Sequence, residues 1–366
     1  MTDALPRLLS SAEAPLAGQT VFVGFDAFVD WIVRPLRASE AHQSPRYFDR
    51  MEDFGRFVVQ RAGRNGSVEL EERMEKLGGN TPILANALGC LGAGIHAVAP
   101  FGFPAPHPCF APLVGYGDLH SVGEPGLSIA LEFDDGKFML AMNRQINHLD
   151  YAALTAVLPP PRLIEILSGC DLLAFVNWSE LPGSTDILAG LARDVLPALP
   201  REVPLLVDLS DCTRRSPADL RDYLARLAAL PPHIRTILSL NRNEADRVCE
   251  AMGLDPADSD IEKGRAILDT LRLEWVVFHE RTHGTIVWSG GAETHRTRVR
   301  RPPVLQTGAG DNFNAGLCAG RLAGLDPGGA LALASITSSF YVENGYSPAW
   351  NEIAASESIV PEEETP

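Results

Sequence analysis

The chain has 366 residues, of which 45% are hydrophobic and 21% are charged, a composition typical of a globular protein. Its formal net charge of −16 disfavours nucleic acid and anionic membrane surfaces as partners, because both carry dense negative charge. We find no apolar run long enough for a signal peptide or a membrane span, and the six scattered cysteines form no C-x-x-C pair. These features lead us to expect a cytoplasmic protein with reduced thiols.

Strand and helix patterns alternate along most of the chain. Thr20 to Val33 is rich in β-branched and aromatic residues and predicts one buried strand, whereas the small, apolar stretch from Thr81 to Ala93 predicts a closely packed helix. After a hairpin signal at Asp135-Gly136, the apolar runs DLLAFVNW, PLLVDLS, TILSL and WVVF alternate with helical stretches. This alternation predicts the fold class α/β, with a doubly wound, mostly parallel sheet and helices on both faces.

The string HERTH, from His279 to His283, matches the H-E-x-x-H pattern of zinc metalloproteases. That pattern needs a helix, because helical spacing places both imidazoles on one face. Here strand-like runs lie on both sides and Gly284 follows at once, which predicts a short loop between two strands. A zinc hydrolase is therefore the less favoured alternative.

The stretch QTGAGDNFNAG carries the strongest chemical signal. The small residues Gly308, Ala309 and Gly310 let backbone amides approach an anion, and a helix that begins beside them adds a partial positive charge. Asp311 next to a bound phosphate can accept the proton of an attacking hydroxyl. The same string also fits a simpler arrangement, in which Asp311 only caps the helix. The string alone does not decide between them.

TGAGDNFNAG closely resembles the C-terminal signature of the ribokinase-like carbohydrate kinases, also called the phosphofructokinase-B family. GGNTPILANALGCLGA, which starts at Gly78, is similar to the N-terminal signature, and Asn241-x-x-Glu244 is similar to the family's N-x-x-E. The resemblance spans about Val21 to Gly345. It implies that 1–366 is a single ribokinase-like α/β domain with a small β-lid.

The lid implied by the resemblance comes from insertions at about 34–76 and 106–147. The acidic segment 356–366 is predicted to be a disordered tail. A homodimer formed through the lid is a further hypothesis.

The resemblance implies ATP-dependent phosphoryl transfer to a hydroxyl of a small sugar or nucleoside-like substrate, with Mg²⁺ as the cofactor. The catalytic residues that it implies are the base Asp311 and, around the phosphate, Gly308, Ala309 and Gly310. The implied substrate-binding residues are Asp30, Gly78, Gly79, Asn80 and Asn177. The implied nucleotide-binding residues are Asn241, Thr307 and Gly284, and the residues expected to hold Mg²⁺ through water are Asn241 and Glu244.

Four positions depart from the family pattern, and one of them is Asn177, which stands where ribokinase has an acidic residue. Leu305 stands where many members carry an aspartate for an activating monovalent cation, so we expect little or no potassium activation. Phe28 and Ile83 stand where asparagines contact the substrate in ribokinase and in the N-terminal signature, respectively. Because buried hydroxyls need polar partners, we expect a substrate less hydroxylated than ribose, or one with an apolar part.

Two further alternatives follow from the same residues. A catalytically inactive ligand-binding or regulatory protein could use this fold, although binding alone would not need a base such as Asp311. Asn241 and Glu244 also have the spacing of a plain helix cap, since a capping residue followed by Glu at the third helical position is common.

Overall fold

The computed structural model describes residues 4–11, 14–38, 45–254, 259–297 and 301–358. The strands are Thr20–Gly24 (β1), Phe28–Ala38 (β2), Arg46–Tyr47 (β3), Leu70–Gly78 (β4), Gly94–Ala99 (β5), Gly117–Ser121 (β6), Gly126–Phe133 (β7), Gly136–Met142 (β8), Leu172–Phe175 (β9), Val203–Asp208 (β10), Ile234–Leu240 (β11), Trp275–His279 (β12), His283–Trp288 (β13) and Gly291–Arg296 (β14). The helices are Ala4–Leu9 (α1), Met51–Gln60 (α2), Asn80–Cys90 (α3), Ala111–Val114 (α4), Tyr151–Val157 (α5), Pro160–Ser168 (α6), Ser184–Asp194 (α7), Pro217–Ala228 (α8), Arg242–Met252 (α9), Asp260–Leu271 (α10), Ala309–Leu322 (α11), Pro327–Asn344 (α12) and Trp350–Ser358 (α13). Within these residues, no helix combines the length and the apolar character needed to cross a membrane.

The main sheet has nine strands in the order β14-β13-β12-β11-β10-β9-β1-β5-β6. The strands from β12 to β6 in this order run parallel, and β13 and β14 are antiparallel to their neighbours. Successive side chains of β1 point to opposite faces, so Phe22 packs in one apolar core while Val21 and Val23 pack in another. Helices α5 to α10 cover the first face, and α3, α11 and α12 cover the second. The predicted doubly wound α/β fold is confirmed.

The small sheet has five strands in the order β3-β2-β7-β8, with β4 also paired to β2. Its strands correspond only partly to the predicted lid insertions at 34–76 and 106–147. β2 already begins at Phe28, and β4 continues to Gly78. Gly117–Ser121 instead extends the main sheet, because β6 pairs in parallel with β5.

The prediction of one strand from Thr20 to Val33 is wrong, because the chain leaves the main sheet after Gly24 and enters the small sheet at Phe28. The three residues 25–27 make the connection. Asp30 therefore belongs to the small sheet and not to the end of the first main-sheet strand. The predicted tail 356–366 begins inside a helix, since α13 continues to Ser358, and residues 359–366 lie outside the described part of the chain.

Close packing between α11 and α12 positions the start of α11. A Cβ added at Gly316 would lie 2.6 Å from Thr337 Oγ1 and 2.7 Å from Ala334 Cα. One added at Gly320 would lie 2.6 Å from the Cα of Ala330. The two helix backbones can approach this closely only because both positions on α11 lack side chains.

We expect Gly316→Ala to lower the free energy of unfolding by about 1–3 kcal/mol, because the new methyl group overpacks this interface. The matched control is Gly55→Ala in α2, where an added Cβ would meet nothing within 4 Å. That change should raise the free energy of unfolding by roughly 0.5–1 kcal/mol, since alanine is the better helix former. Urea unfolding of both variants measures the two signs. A rise in both would contradict the packing argument.

Candidate active site

Asp26, in the break between β1 and β2, is fully buried and accepts hydrogen bonds from two elements. The Asn80 and Thr81 amides at the start of α3 donate to its carboxylate at 2.9 Å each, and Asn177 Nδ2 donates at 2.7 Å. Burial raises the pKa of Asp26, while the bonds from Asn177 and Thr81 oppose the rise. This network fixes α3 against the carboxyl ends of β1 and β9.

Asp30 lies four residues further on, in β2, and is also buried. It is opposite Lys76 on β4 and Ser128 on β7. Burial raises the pKa of Asp30 to about 6, against the opposing effects of the Lys76 charge and a hydrogen bond from Ser128. The carboxylate is therefore mostly ionised at neutral pH, where it can accept hydrogen bonds from hydroxyls.

Two glycines make room for these carboxylates. A Cβ added at Gly78 would lie 2.2 Å from Asp30 Oδ1, and one at Gly79 would lie 2.5 Å from Asp26 Oδ2. Gly79 also has φ +86°, in the left-handed region that favours glycine. The pair predicted to bind substrate thus lies directly against both aspartates.

Asp311 lies in the first turn of α11 and is buried. The helix cap is Gly308, with φ +94°, so the simpler interpretation of Asp311 as the capping residue is wrong. Burial, together with the charges of Asp208 and Asp26, raises the pKa of Asp311 well above its ordinary value, against a hydrogen bond with the Asn80 side chain. Its Oδ1 atom is buried without a hydrogen-bond partner. This oxygen is therefore available to accept a hydrogen bond from a substrate hydroxyl.

The residues before Asp311, from Thr307 to Gly310, are predicted to contact the nucleotide phosphates, and they differ in their contacts. The Ala309 amide donates to the Gln306 carbonyl at 3.1 Å, so it is already engaged. The Thr307 carbonyl accepts a hydrogen bond from Tyr341 at 2.7 Å. Gly308 has no room for a side chain, because a Cβ there would lie 2.7 Å from the Tyr341 hydroxyl. A Cβ at Gly310 would make only an ordinary contact with the His279 ring, at 3.4 Å.

A buried polar network that the sequence analysis missed lies beside this loop. Asn314, one turn after Asp311, donates to Asp208 Oδ2 at 2.6 Å and accepts from Ser239 Oγ at 2.6 Å. Asp208 ends β10, and its other oxygen accepts from the Ser210 amide at 2.8 Å. The network joins α11 to the carboxyl ends of β10 and β11.

Asn241 and Glu244 form a complete capping box at the start of α9. Asn241 Oδ1 accepts from the Glu244 amide at 3.0 Å, and Glu244 Oε2 accepts from the Asn241 amide at 2.9 Å. The interpretation of Asn241 and Glu244 as a helix cap is therefore confirmed. Glu244 is nevertheless buried, and burial together with the Asp208 charge raises the pKa of Glu244. A glutamate in a helix cap is rarely this buried. The Glu244 carboxylate lies close enough to Asp208 to be affected by its charge.

A cavity of about 660 Å³ opens beside the start of α11. Its walls come from the β12–β13 turn, α11 and α12, and they include His279, Arg281, Gln306, Gly310 and Ser338. None of the three residues predicted to bind nucleotide, Asn241, Thr307 and Gly284, is among its described lining residues. Gly284 has a packing role, because a Cβ there would lie 2.9 Å from Leu331 Cδ1.

The structure also resolves the HERTH string. His279 ends β12 and His283 begins β13, so the predicted loop between two strands is confirmed. His283 pairs with Asp260 at 2.9 Å, while the His279 ring packs against Phe313 with centroids 5.4 Å apart. The two imidazoles thus have different partners and no common helix face.

A second cavity, of about 400 Å³, lies between the small sheet and helices α3 and α12. Ile32, Met74 and Lys76 line it from the small sheet, and Ile83 and Tyr341 line it from the helices. Lys76 is opposite Asp30 in the sheet, although Asp30 itself is not among the described lining residues of this cavity.

A model of the family described as prokaryotic ketohexokinase matches residues 3–358. The chain belongs to the prokaryotic ketohexokinase family. It is an ATP-dependent small-molecule kinase that phosphorylates a hydroxyl of a sugar or nucleoside-like substrate, as the sequence predicted. Neither the inactive binding protein nor the zinc hydrolase is favoured.

The chain is similar to a ketohexokinase of Haloferax volcanii, with 29% identity over 92% of this chain and 90% of that protein. Among solved structures, it resembles the adenosine kinase of Trypanosoma brucei brucei, with a TM-score of 0.65, 15% identity and coverage of 90% of this kinase and 100% of that chain. It also resembles Arabidopsis thaliana ribokinase complexed with ribose and ATP, with a TM-score of 0.62, 17% identity and coverage of 93% and 98%. These two structures share the ribokinase-like fold.

Two of the missed residues carried a signal in the sequence. Asp26 interrupts the apolar run VFVGFDAFV, where a charged residue among apolar neighbours needs hydrogen-bond partners if it is buried. Asp208 ends a buried strand, and the carboxyl ends of parallel strands are where α/β proteins bind ligands. Neither residue belongs to the family signatures that guided the prediction.

We expect Gly78→Ala to lower kcat/KM by about 100-fold while the kinase stays folded, because the added methyl group displaces the Asp30 carboxylate and a shift of about 1 Å costs that much. Gly115→Ala is the matched control, since its Cβ would meet its nearest neighbour at 3.9 Å. Steady-state kinetics and thermal unfolding of both variants provide the test. Equal kcat/KM values for Gly78→Ala and the wild type would show that the Asp30 position is not critical.

Proposed function

We propose that the substrate is a ketohexose, phosphorylated by ATP at a primary hydroxyl with Asp311 as the general base. The observation that carries this proposal is the buried, unpartnered Oδ1 of Asp311, next to the cavity that Gly310 lines. The names of the family and of the Haloferax relative favour a ketohexose over a nucleoside.

The environment of Asp311 suits a general base. Its pKa is raised by burial and by two neighbouring carboxylates, which increases the affinity of this oxygen for a proton. The base acts in its ionised form, so activity falls as the pH decreases through its pKa. Asn80 hydrogen-bonds to both Asp26 and Asp311 and so positions the base relative to the substrate side of the site.

The phosphate side of the proposal relies on the start of α11. The amides of Gly308 and Gly310, together with the positive end of the helix dipole, would stabilise the charge of the transferred phosphoryl group. The Ala309 amide is left out of this role because it donates to Gln306. The 660 Å³ cavity, which is continuous with this turn, would hold the rest of the nucleotide.

The residues near Asp208 fit a magnesium ion. Asp208 and Glu244 are buried carboxylates, and burial together with the Asp208 charge raises the pKa of Glu244. Mg²⁺ prefers oxygen ligands and keeps several waters. Glu244 and Asp208 would therefore hold Mg²⁺ through water, with Asn241 orienting Glu244. The ion would neutralise charge on the nucleotide phosphates.

The sugar would be held by Asp30, Asn80 and Asn177, with Gly78 and Gly79 allowing its close approach. Asn177 Oδ1 is buried and unpartnered, and a sugar hydroxyl can donate to it. The expectation of a less hydroxylated substrate rested on Phe28 and Ile83. Phe28 is part of the main apolar core, and Ile83 packs beside the Gly308 turn. Packing therefore accounts for Phe28, whereas Ile83 also lines the 400 Å³ cavity beside Lys76 and forms an apolar wall there.

The proposal also includes a homodimer formed through the small sheet and a cytoplasmic location. The small sheet carries a concentration of exposed apolar side chains: Trp31, Met74, Phe138, Met139, Leu140 and Met142. Exposed apolar groups of this density favour association with another protein surface. All six cysteines are unpaired, which supports a reducing compartment.

A substrate panel tests the proposal. With ATP as donor, we expect kcat/KM for a ketohexose such as fructose to exceed the values for ribose and for adenosine by at least about ten-fold, because the Asp30 and Asn177 acceptors must be matched by hydroxyls. Coupled ADP-release assays on the three substrates measure the ratio. A higher kcat/KM for adenosine would overturn the ketohexose assignment while leaving the kinase family unchanged.

Asp311→Asn should reduce kcat on the best substrate of that panel by about 10²–10⁴-fold, the usual cost of losing a general base, without unfolding the chain. The control is Asp222→Asn, which removes only the exposed contact with Arg226 on α8. Its kcat should equal that of the wild type. Retention of near wild-type kcat by Asp311→Asn would contradict its assignment as the base.

A further inference from the structure

Three potential metal ligands meet at one edge of the main sheet, away from the site described above. His96 lies on β5, and Asp118 and His120 lie on the edge strand β6. His96 is directly opposite Asp118 in the parallel register, and His120 is two residues further along. Paired residues and residues two apart share a face of the sheet, so all three side chains project to the same side.

The ligand atoms of this trio lie close together. One nitrogen or oxygen from each residue lies within 4.8 Å of the other two, and no other group of this kind occurs among the described residues. His96 Nδ1 is 3.5 Å from Asp118 Oδ2, and the two imidazole rings are nearly parallel, with centroids 5.9 Å apart. A tetrahedral zinc ion with bonds of about 2.0–2.2 Å would bring its ligand atoms to about 3.4 Å from one another. Small rotations of these side chains would close that gap.

One ring nitrogen of each histidine lacks a hydrogen-bond partner. His96 Nδ1 and His120 Nε2 are both buried from solvent, and neither makes a hydrogen bond. A buried polar atom without a partner costs free energy and indicates a missing water or ion. Here two such atoms belong to neighbouring imidazoles that face an exposed carboxylate.

The geometry points to a site for a divalent transition-metal ion of the Zn²⁺ type, bound by His96, Asp118 and His120. Two imidazoles and one carboxylate suit zinc, and they do not suit magnesium, which prefers oxygen ligands alone. Three protein ligands leave a fourth position for water. Burial and the positive charge of Arg162 lower the pKa of His120, but Arg162 is itself paired with Glu165 at 2.6 Å.

The position of the trio indicates an ion that links two strands and lies apart from the kinase site. In the main sheet, β6 is the edge strand furthest from β14, whereas the 660 Å³ cavity is bounded by the β12–β13 turn. An ion here would cross-link β6 to β5. Ser121, the residue after His120, accepts hydrogen bonds from the Phe101 and Gly102 amides, so the cross-link would also steady the segment that follows β5.

Titration of the full-length, chelator-treated protein with Zn²⁺ in the presence of a non-chelating reductant tests the site. We expect one ion per chain and a rise in Tm on binding, because a ligand that binds only the folded state stabilises it. His96→Ala and His120→Gln should each weaken binding by at least about ten-fold, the lower limit for losing even an outer-shell partner. Both variants should lose most of the zinc-dependent rise in Tm.

Two matched controls separate this site from other histidines. His148→Ala removes an exposed imidazole elsewhere, and His283→Ala removes one from the HERTH string. Both should bind Zn²⁺ with wild-type affinity. The proposal is overturned if the wild type binds no stoichiometric zinc, if the affinity is lost in His283→Ala, or if it is unchanged in both His96→Ala and His120→Gln. Unfolding of each variant without zinc, followed by circular dichroism, checks that the chain remains folded.

Discussion

The burial of several carboxylates at the carboxyl edge of one parallel sheet is the constraint on which the rest of this site depends. Asp26, Asp208 and Asp311 are all nearly or fully inaccessible to water, and burial, together with the charges of Asp208 and Asp26, raises the pKa of Asp311. Burial of a charge is costly unless donors surround it. The start of α3 supplies two amides to Asp26, and α11 supplies Asn314 to Asp208. The placement of both helices follows from this requirement.

The sequence predicted the architecture well because its signals are local. Alternating apolar runs and helical stretches depend on near neighbours in the chain, and TGAGD places a small-residue turn and a carboxylate within five positions. The helix follows this stretch as predicted, but α11 begins at Ala309, two residues before Asp311, so Ala309 and Gly310 belong to its first turn. By contrast, the run from Thr20 to Val33 is apolar throughout, so nothing local shows that β1 pairs with β5 and β9 while β2 pairs with β4 and β7.

The residues that escaped prediction depend on contacts between distant segments. Asp208 becomes part of the site only because α11 brings Asn314 against it, 106 positions along the chain. Gly284 is conspicuous in sequence, yet its small size serves the packing of Leu331. His96 and His120 are 24 positions apart by their numbering and meet through the parallel register of β5 and β6, which no single-sequence pattern encodes.

The break between β1 and β2 has a mechanical consequence. Asp26 accepts a hydrogen bond from α3, which packs on the main sheet. Asp30, only four positions later, is a residue of the small sheet. Any change in the angle between the two sheets therefore alters the separation of these carboxylates directly, with no intervening element to absorb it. A force applied to the exposed apolar side chains of the small sheet would therefore reach the proposed sugar contact at Asp30 directly. A sugar held by Asp30 in the small sheet and by Asn177 after β9 would brace the two sheets against each other.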